Sequence, residues 1–191
     1  RIYDFYDGDA HIEGTYKNVK FYCSEIKTAH ERPASRARRT TTIFKGLFFA
    51  APLGIAFSGG TYIWPAGEEQ LANSIMDEYY RLMDFPDVYY VDTKNPTFEK
   101  EFSVYSTNHA EALFFVDNEL MTRLINFKNQ INRYIRMSFV GGICYVSIAI
   151  NEDLFQPSVS NPENKEIVHE LFFSVLLILS IINQLNLTKY S

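Results

Sequence analysis

Acid and base chemistry needs a carboxylate held beside a partner, and one stretch of this chain has the residue types for it. Glu99, Glu101, Glu111 and Glu119 lie within twenty-one positions, with Tyr105 and His109 between them. A carboxylate paired with a second carboxylate, a phenol or an imidazole can pass a proton to and from a substrate. Glutamates spaced along alternating strand positions usually form a wet face instead, so these four are expected to be solvated and no catalytic residue is assigned. Other chemistries lack their residues. His11, His30, His109 and His169 have no metal-ligand spacing, and neither Cys23 nor Cys144 has a cysteine or histidine neighbour. The chain contains no G-x-S-x-G, no H-E-x-x-H, no Walker-type glycine loop and no dinucleotide fingerprint. No metal and no cofactor is expected.

One charged feature stands apart. Arg32, Arg36, Arg38, Arg39 and Lys45 place five basic residues in fourteen positions, with Glu31 alongside. Without those six, 13 basic and 22 acidic residues remain in a chain of net charge -5, so a cationic segment sits on an acidic body. That balance argues against a nucleic-acid partner, because phosphates would be repelled by most of the surface. The stretch "RPASRARRTT" has no apolar residue larger than Ala or Pro. It gains little by burial, and a projecting, mobile loop from Arg32 to Thr42 is expected. The five cations are the candidate anion or partner contacts, toward an anionic membrane surface or a protein; a merely solvated loop is the plain alternative.

The elements that must position these residues follow from periodicity. The 191 residues, 47% hydrophobic and 21% charged, describe a folded chain able to bury a core. "HIEGTYKNVKFYCSEIKTAHE" predicts two strands about a turn at Lys17-Asn18, with Val19, Phe21 and Cys23 on one face. "TIFKGLFFAA" predicts a strand buried on both faces, with Gly46 at a bulge or close approach. Gly59-Gly60 predicts a tight hairpin turn of positive φ, followed by a strand ending at Pro65. The aromatic density of residues 41–65 is that of a sheet interior more than of a binding surface. A helix is expected over 66–83, and a short strand at "VYYVD". Phe98, Phe102, Val104, Leu113 and Phe115 are expected inside. Asp117 should cap a helix whose buried face is Leu120, Leu124, Phe127 and Ile131, with Val116 and Met121 as a hydrophobic staple. "YIRMSFVGGICYVSIAI" predicts a hairpin about Gly141-Gly142. The closing helix should start near Asn161-Pro162 and bury Leu176 and Leu179. Its apolar run Leu171 to Ile182 spans about 18 Å, short of the roughly 30 Å hydrocarbon core of a bilayer. Cys23 and Cys144 are expected to be buried free thiols, which fits a reducing compartment, with a disulfide between them as the alternative.

"GTYKNVKFYCSEI", "IFKGLFFAA", "FSGGTYIWP", "FEKEFSVYSTNHAEALF" and "LMTRL", in order from about Gly14 to Leu124, carry a resemblance to the DUF3137 family, a bacterial family of unknown function. Members resemble membrane-associated proteins in which apolar segments precede this region. The resemblance thus implies a place on the cytoplasmic side of a bacterial membrane, and a chain opening "RIYDFYDGDA" looks like a fragment of a longer protein. It supplies no catalytic residues. Where the family has an Asp-Phe-Asn-Lys-like stretch this chain has Pro52-Leu53-Gly54-Ile55, and where it has Glu-Ala-Arg this chain has Glu111-Ala112-Leu113.

The expected fold is α+β, a mainly antiparallel curved sheet with at least three helices and a buried C-terminal helix. It is expected as one domain over 1–191, or as two closely packed lobes, 10–85 and 86–191. The leading function is a non-catalytic module binding protein or anionic lipid, and the alternative is an enzyme with a carboxylate or tyrosine site.

Overall fold

Alternating apolar residues build one antiparallel sheet, and its order is not the order of the chain. The computed structural model describes residues 5–33, 38–68, 88–151 and 165–190. Within these residues eight strands are formed: β1 (Phe5–Tyr16), β2 (Val19–Pro33), β3 (Arg38–Pro52), β4 (Gly60–Pro65), β5 (Tyr89–Tyr90), β6 (Phe102–Ser106), β7 (Ile135–Val140) and β8 (Ile143–Ala149). They run β1-β2-β3-β8-β7-β4-β6-β5 across the curved sheet. The terminal hairpin is thus inserted between β3 and β4, and residues on both sides of position 85 share one sheet. Among the described residues, four α-helices accompany it: α1 (Pro96–Glu99), α2 (His109–Phe115), α3 (Asn118–Ile131) and α4 (Lys165–Gln184), the last followed by a 3₁₀ turn at Leu187–Lys189.

Local signals act as expected where the structure is local. Lys17 and Asn18 have φ of 49° and 65°, and Gly141 and Gly142 of 59° and 78°. Two consecutive residues of positive φ match the twist of the strands they join. The Asp117 carboxylate accepts the Leu120 N–H at 2.8 Å, while Val116 and Met121 are both buried. The core is made by the inward face of the sheet, including Cys23, Leu47, Phe49, Ile63, Phe102, Phe139 and Val146, against α3 and α4. Both cysteines are free and buried.

Four expectations are corrected. The expected loop from Arg32 to Thr42 is largely strand: β2 runs to Pro33 and β3 begins at Arg38, with Arg32 opposite Arg39 and Pro33 opposite Arg38. A ladder is held by backbone hydrogen bonds, and a lack of apolar side chains does not forbid it. Gly59 and Gly60 have no positive φ and do not join a hairpin, since β4 pairs with β6 and β7 and not with β3. Glycine is needed at 59 for close approach instead, because a Cβ there would lie 2.3 Å from Thr107 Oγ1. Leu113 is 43% exposed on α2, while Phe115 is the buried neighbour. Leu176 is 44% exposed and Leu179 half-buried; α4 buries Leu177, Ile178, Ile181 and Ile182. That helix is apolar around most of its circumference, so periodicity fixes its burial but not its rotation. Most of the helix expected over 66–83, the start at Asn161-Pro162, and Arg36 lie outside the described residues.

Candidate functional site

The cationic candidates are positioned by a change of partner partway along β3. Residues Gly46 to Ala50 pair with β8 on one side and β2 on the other, and the β8 pairing continues to Pro52. From Phe44 back to Arg38 the described pairing is with β2 alone, and β1 is described as a third strand as far as Phe5 opposite Ala29. The first three strands therefore continue past the end of β8 as an arm. Two register irregularities, at Asp9/His11 and at Thr28/Ala29, fall near its base, and such bulges strengthen local twist.

Gly46 marks the junction. Its φ is 152°, and a Cβ would stand 2.0 Å from the Ile148 carbonyl oxygen and 2.8 Å from the Ile150 nitrogen. Next to it, the Lys45 carbonyl accepts the Ile150 N–H at 3.0 Å, and the Lys45 ammonium donates to the Asn151 carbonyl at 2.8 Å. Lys45 thus ties the arm to the end of β8. Register sets Lys27 opposite Lys45, with Asp7 opposite Lys27 on the other side. Like charges directly opposed on a ladder repel, and Asp7 in the same row and the Asn151 carbonyl on Lys45 offset that repulsion. Of the five expected contacts, Arg32, Arg38, Arg39 and Lys45 are all placed on the arm.

A second cationic feature meets the arm at its base, and it was not apparent from the sequence. Among the described residues, a cleft of about 480 Å³ is lined by Lys128, Asn129, Asn132, Arg133, Tyr134, Ala149 and Asn151. Helix α3 ends here with Asn132 in the left-handed conformation, φ 50° and ψ 48°, its N–H donating to the Lys128 carbonyl. The helix end points carbonyls toward the cleft, which disfavours anions, while Lys128 and Arg133 oppose that field. Lys128 is also hydrogen-bonded to the Glu101 carboxylate. Asn129, Asn132 and Arg133 recur at the spacing of one helical turn, a signal that could have been noticed.

The carboxylates weighed for acid and base work do not converge, and none lies on a strand. Glu99 on α1 accepts from the Thr93 N–H and hydroxyl, each at 2.9 Å. Glu101 meets Lys128. Glu111 on α2 accepts the Ser58 N–H at 2.8 Å and the Gly59 N–H at 2.9 Å, so it stitches the loop before β4 to α2. Glu119 accepts from Arg123 Nε at 2.9 Å, one turn along α3. Tyr105 is buried against Tyr90, and His109 is exposed at the start of α2. Among the described residues, no three His, Cys, Asp or Glu gather as a metal site, and no helix is long and apolar enough to cross a membrane.

No curated protein matches the chain. Among solved structures, the chain is similar to the crystal structure of the mycobacterial trehalose monomycolate transport factor A, TtfA, with 9% sequence identity and a TM-score of 0.45 over 94% of this chain and 73% of that one. A family model matches residues 42–187, from the arm half of β3 to the turn after α4. With that much of its length covered, the chain belongs to DUF3137, a family of proteins of unknown function.

Proposed function

We propose that this chain is a non-catalytic binding module that rests its cationic arm on an anionic membrane surface, with acidic lipid headgroups as the ligand. The observation that carries this reading is the separation of charge along one ladder. Arg32, Arg38, Arg39 and Lys45 lie where β2 and β3 leave the sheet, and the rest of the chain is acidic. Each basic side chain close to an anionic bilayer contributes up to about 1 kcal/mol. The acidic remainder is repelled by the same surface, so the field both attracts the arm and orients the molecule behind it. Tyr6, 55% exposed on β1 of the arm, has the amphipathic ring that suits a headgroup region. The cytoplasmic leaflet supplies the anionic lipids, and two buried free thiols suit a reducing compartment.

Co-sedimentation of the 191-residue chain with vesicles tests the reading. Vesicles of phosphatidylglycerol mixed with phosphatidylcholine should pull it down at low ionic strength, and pure phosphatidylcholine should not. Binding should weaken as salt shortens the screening length toward about 8 Å. Replacing Arg32, Arg36, Arg38 and Arg39 with Ser should abolish it without unfolding the chain. Equal binding to both vesicle types, or binding unaffected by the substitutions, would refute the lipid reading, and a protein partner for the arm would then take its place.

A further inference from the structure

We infer that the cleft between the end of α3 and the end of β8 is a separate binding site for a phosphorylated polyol, the class that includes sugar phosphates and polyol-phosphate headgroups. This goes beyond contact with a membrane surface, because the cleft is a concave, residue-lined site with its own chemistry. A volume of about 480 Å³ lies in the range of roughly 300 to 1,000 Å³ typical of small-molecule sites.

The lining has two kinds of group, and each calls for a complementary part of the ligand. Lys128 and Arg133 stand on the cleft, and Lys45 reaches its edge through the hydrogen bond to Asn151. Guanidinium and ammonium groups on one lining select an oxyanion, with Arg able to hold two phosphate oxygens at once. Glu101 beside Lys128 and the carbonyl end of α3 reduce the field, which favours a singly bound phosphate over a dense polyanion. The amides of Asn129, Asn132 and Asn151 and the phenol of Tyr134 supply both donors and acceptors. Such a set matches hydroxyl groups, which also donate and accept, and has little to offer an acyl chain. Cations and amides on the same lining therefore fit a phosphate carried on a hydroxylated body.

Two sources share that chemistry, a soluble phosphate ester and a lipid headgroup, and the test separates them. The 191-residue chain is titrated, with amide shifts followed by NMR, using inositol 1-phosphate, inorganic phosphate and free inositol in turn. Inositol 1-phosphate is expected to move the resonances of Asn129, Asn132, Arg133, Tyr134 and Asn151 at least tenfold more tightly than either part alone. Arg133→Gln and Asn129→Ala change exposed side chains, so they should fold normally, and each should weaken that binding several-fold. The fourfold arm variant should bind inositol 1-phosphate as the parent does, which distinguishes this site from vesicle contact by the arm. Parallel titration of the fourfold arm variant, which lacks the arm's attraction to anionic bicelles, with small bicelles containing phosphatidylinositol decides the source: tighter binding than the free ester assigns a headgroup, and weaker binding assigns a soluble ligand. No saturable shift at the cleft, or inorganic phosphate binding as well as the ester, would overturn the proposal.

Discussion

The two halves of β3 obey the same hydrogen-bonding rule and do opposite work. Residues 46–52 are paired with β8, and as far as Ala50 with β2 as well, and bury Leu47, Phe49 and Ala51 completely. Residues 38–45 have β2 as their described partner and hold Arg38, Arg39 and Lys45. Stability is concentrated where a strand has neighbours on both sides and helices over its face, and charge is gathered where those neighbours end. The strand therefore works as a beam with one end built into the core. The lesson is that a polar run need not be a loop: a ladder started by a buried half can carry a polar half outward.

Substitutions can break that comparison. The largest effect should come from the built-in half. Phe49→Ala empties a fully buried site stacked on Phe21, and about 3 to 5 kcal/mol should be lost in denaturant unfolding. A loss below about 1 kcal/mol would mean that this half is not held as described. The same contrast recurs inside α4, where Ile178→Ala should cost about 2 to 5 kcal/mol and Leu176→Ala within about 0.5 kcal/mol. Reversal of that order would restore the rotation expected from sequence.

A smaller effect tests the start of α3, whose first turns pack on the core. Asp117→Ala removes a helix cap worth about 1 kcal/mol. Burial alone would raise the Asp117 carboxyl, but hydrogen bonds from Lys189 and from the Leu120 N–H outweigh it and hold the group below its ordinary value. A depressed folded value means that its contribution is complete above the unfolded pKa of about 3.9 and disappears as pH falls through the folded value. The variant should thus lose less stability than the parent between neutral pH and about pH 3, as judged by thermal melts.

A thiol reports on the same half of the strand. Cys23, opposite Phe49, is pushed by burial up to about 12, and Cys144 is raised further by the same cause. Only the thiolate reacts, so neither should be labelled by a disulfide reagent at pH 8 until the chain unfolds. Rapid labelling of native protein would place these strands at the surface. The smallest stability effect belongs to the arm: Arg32, Arg38 and Arg39 changed together to Ser should stay within about 0.5 kcal/mol of the parent.

What the sequence reveals divides along similar lines. The Lys17-Asn18 and Gly141-Gly142 turns and the Asp117 cap depend on residues a few positions apart, and they were legible. Gly59-Gly60 was misread because its requirement is set by Thr107 and Glu111, some fifty positions away. The rotation of α4 was hidden because exposed Leu176 and buried Leu177 are the same residue type. Lys45 was legible as a cation but not as the tie between arm and sheet, and of the cleft only the spacing of Asn129, Asn132 and Arg133 was legible, because α3 and β8 meet there only after folding.

The central claim is that the outward half of the strand is the contact surface. It is tested most directly by recording amide shifts of the 191-residue chain with bicelles containing phosphatidylglycerol. The account predicts that changes concentrate at residues 27–33 and 38–45, fade with added salt, and leave residues 46–52 unmoved. Changes centred on Val175 and Leu176 of α4, with the arm silent, would contradict it.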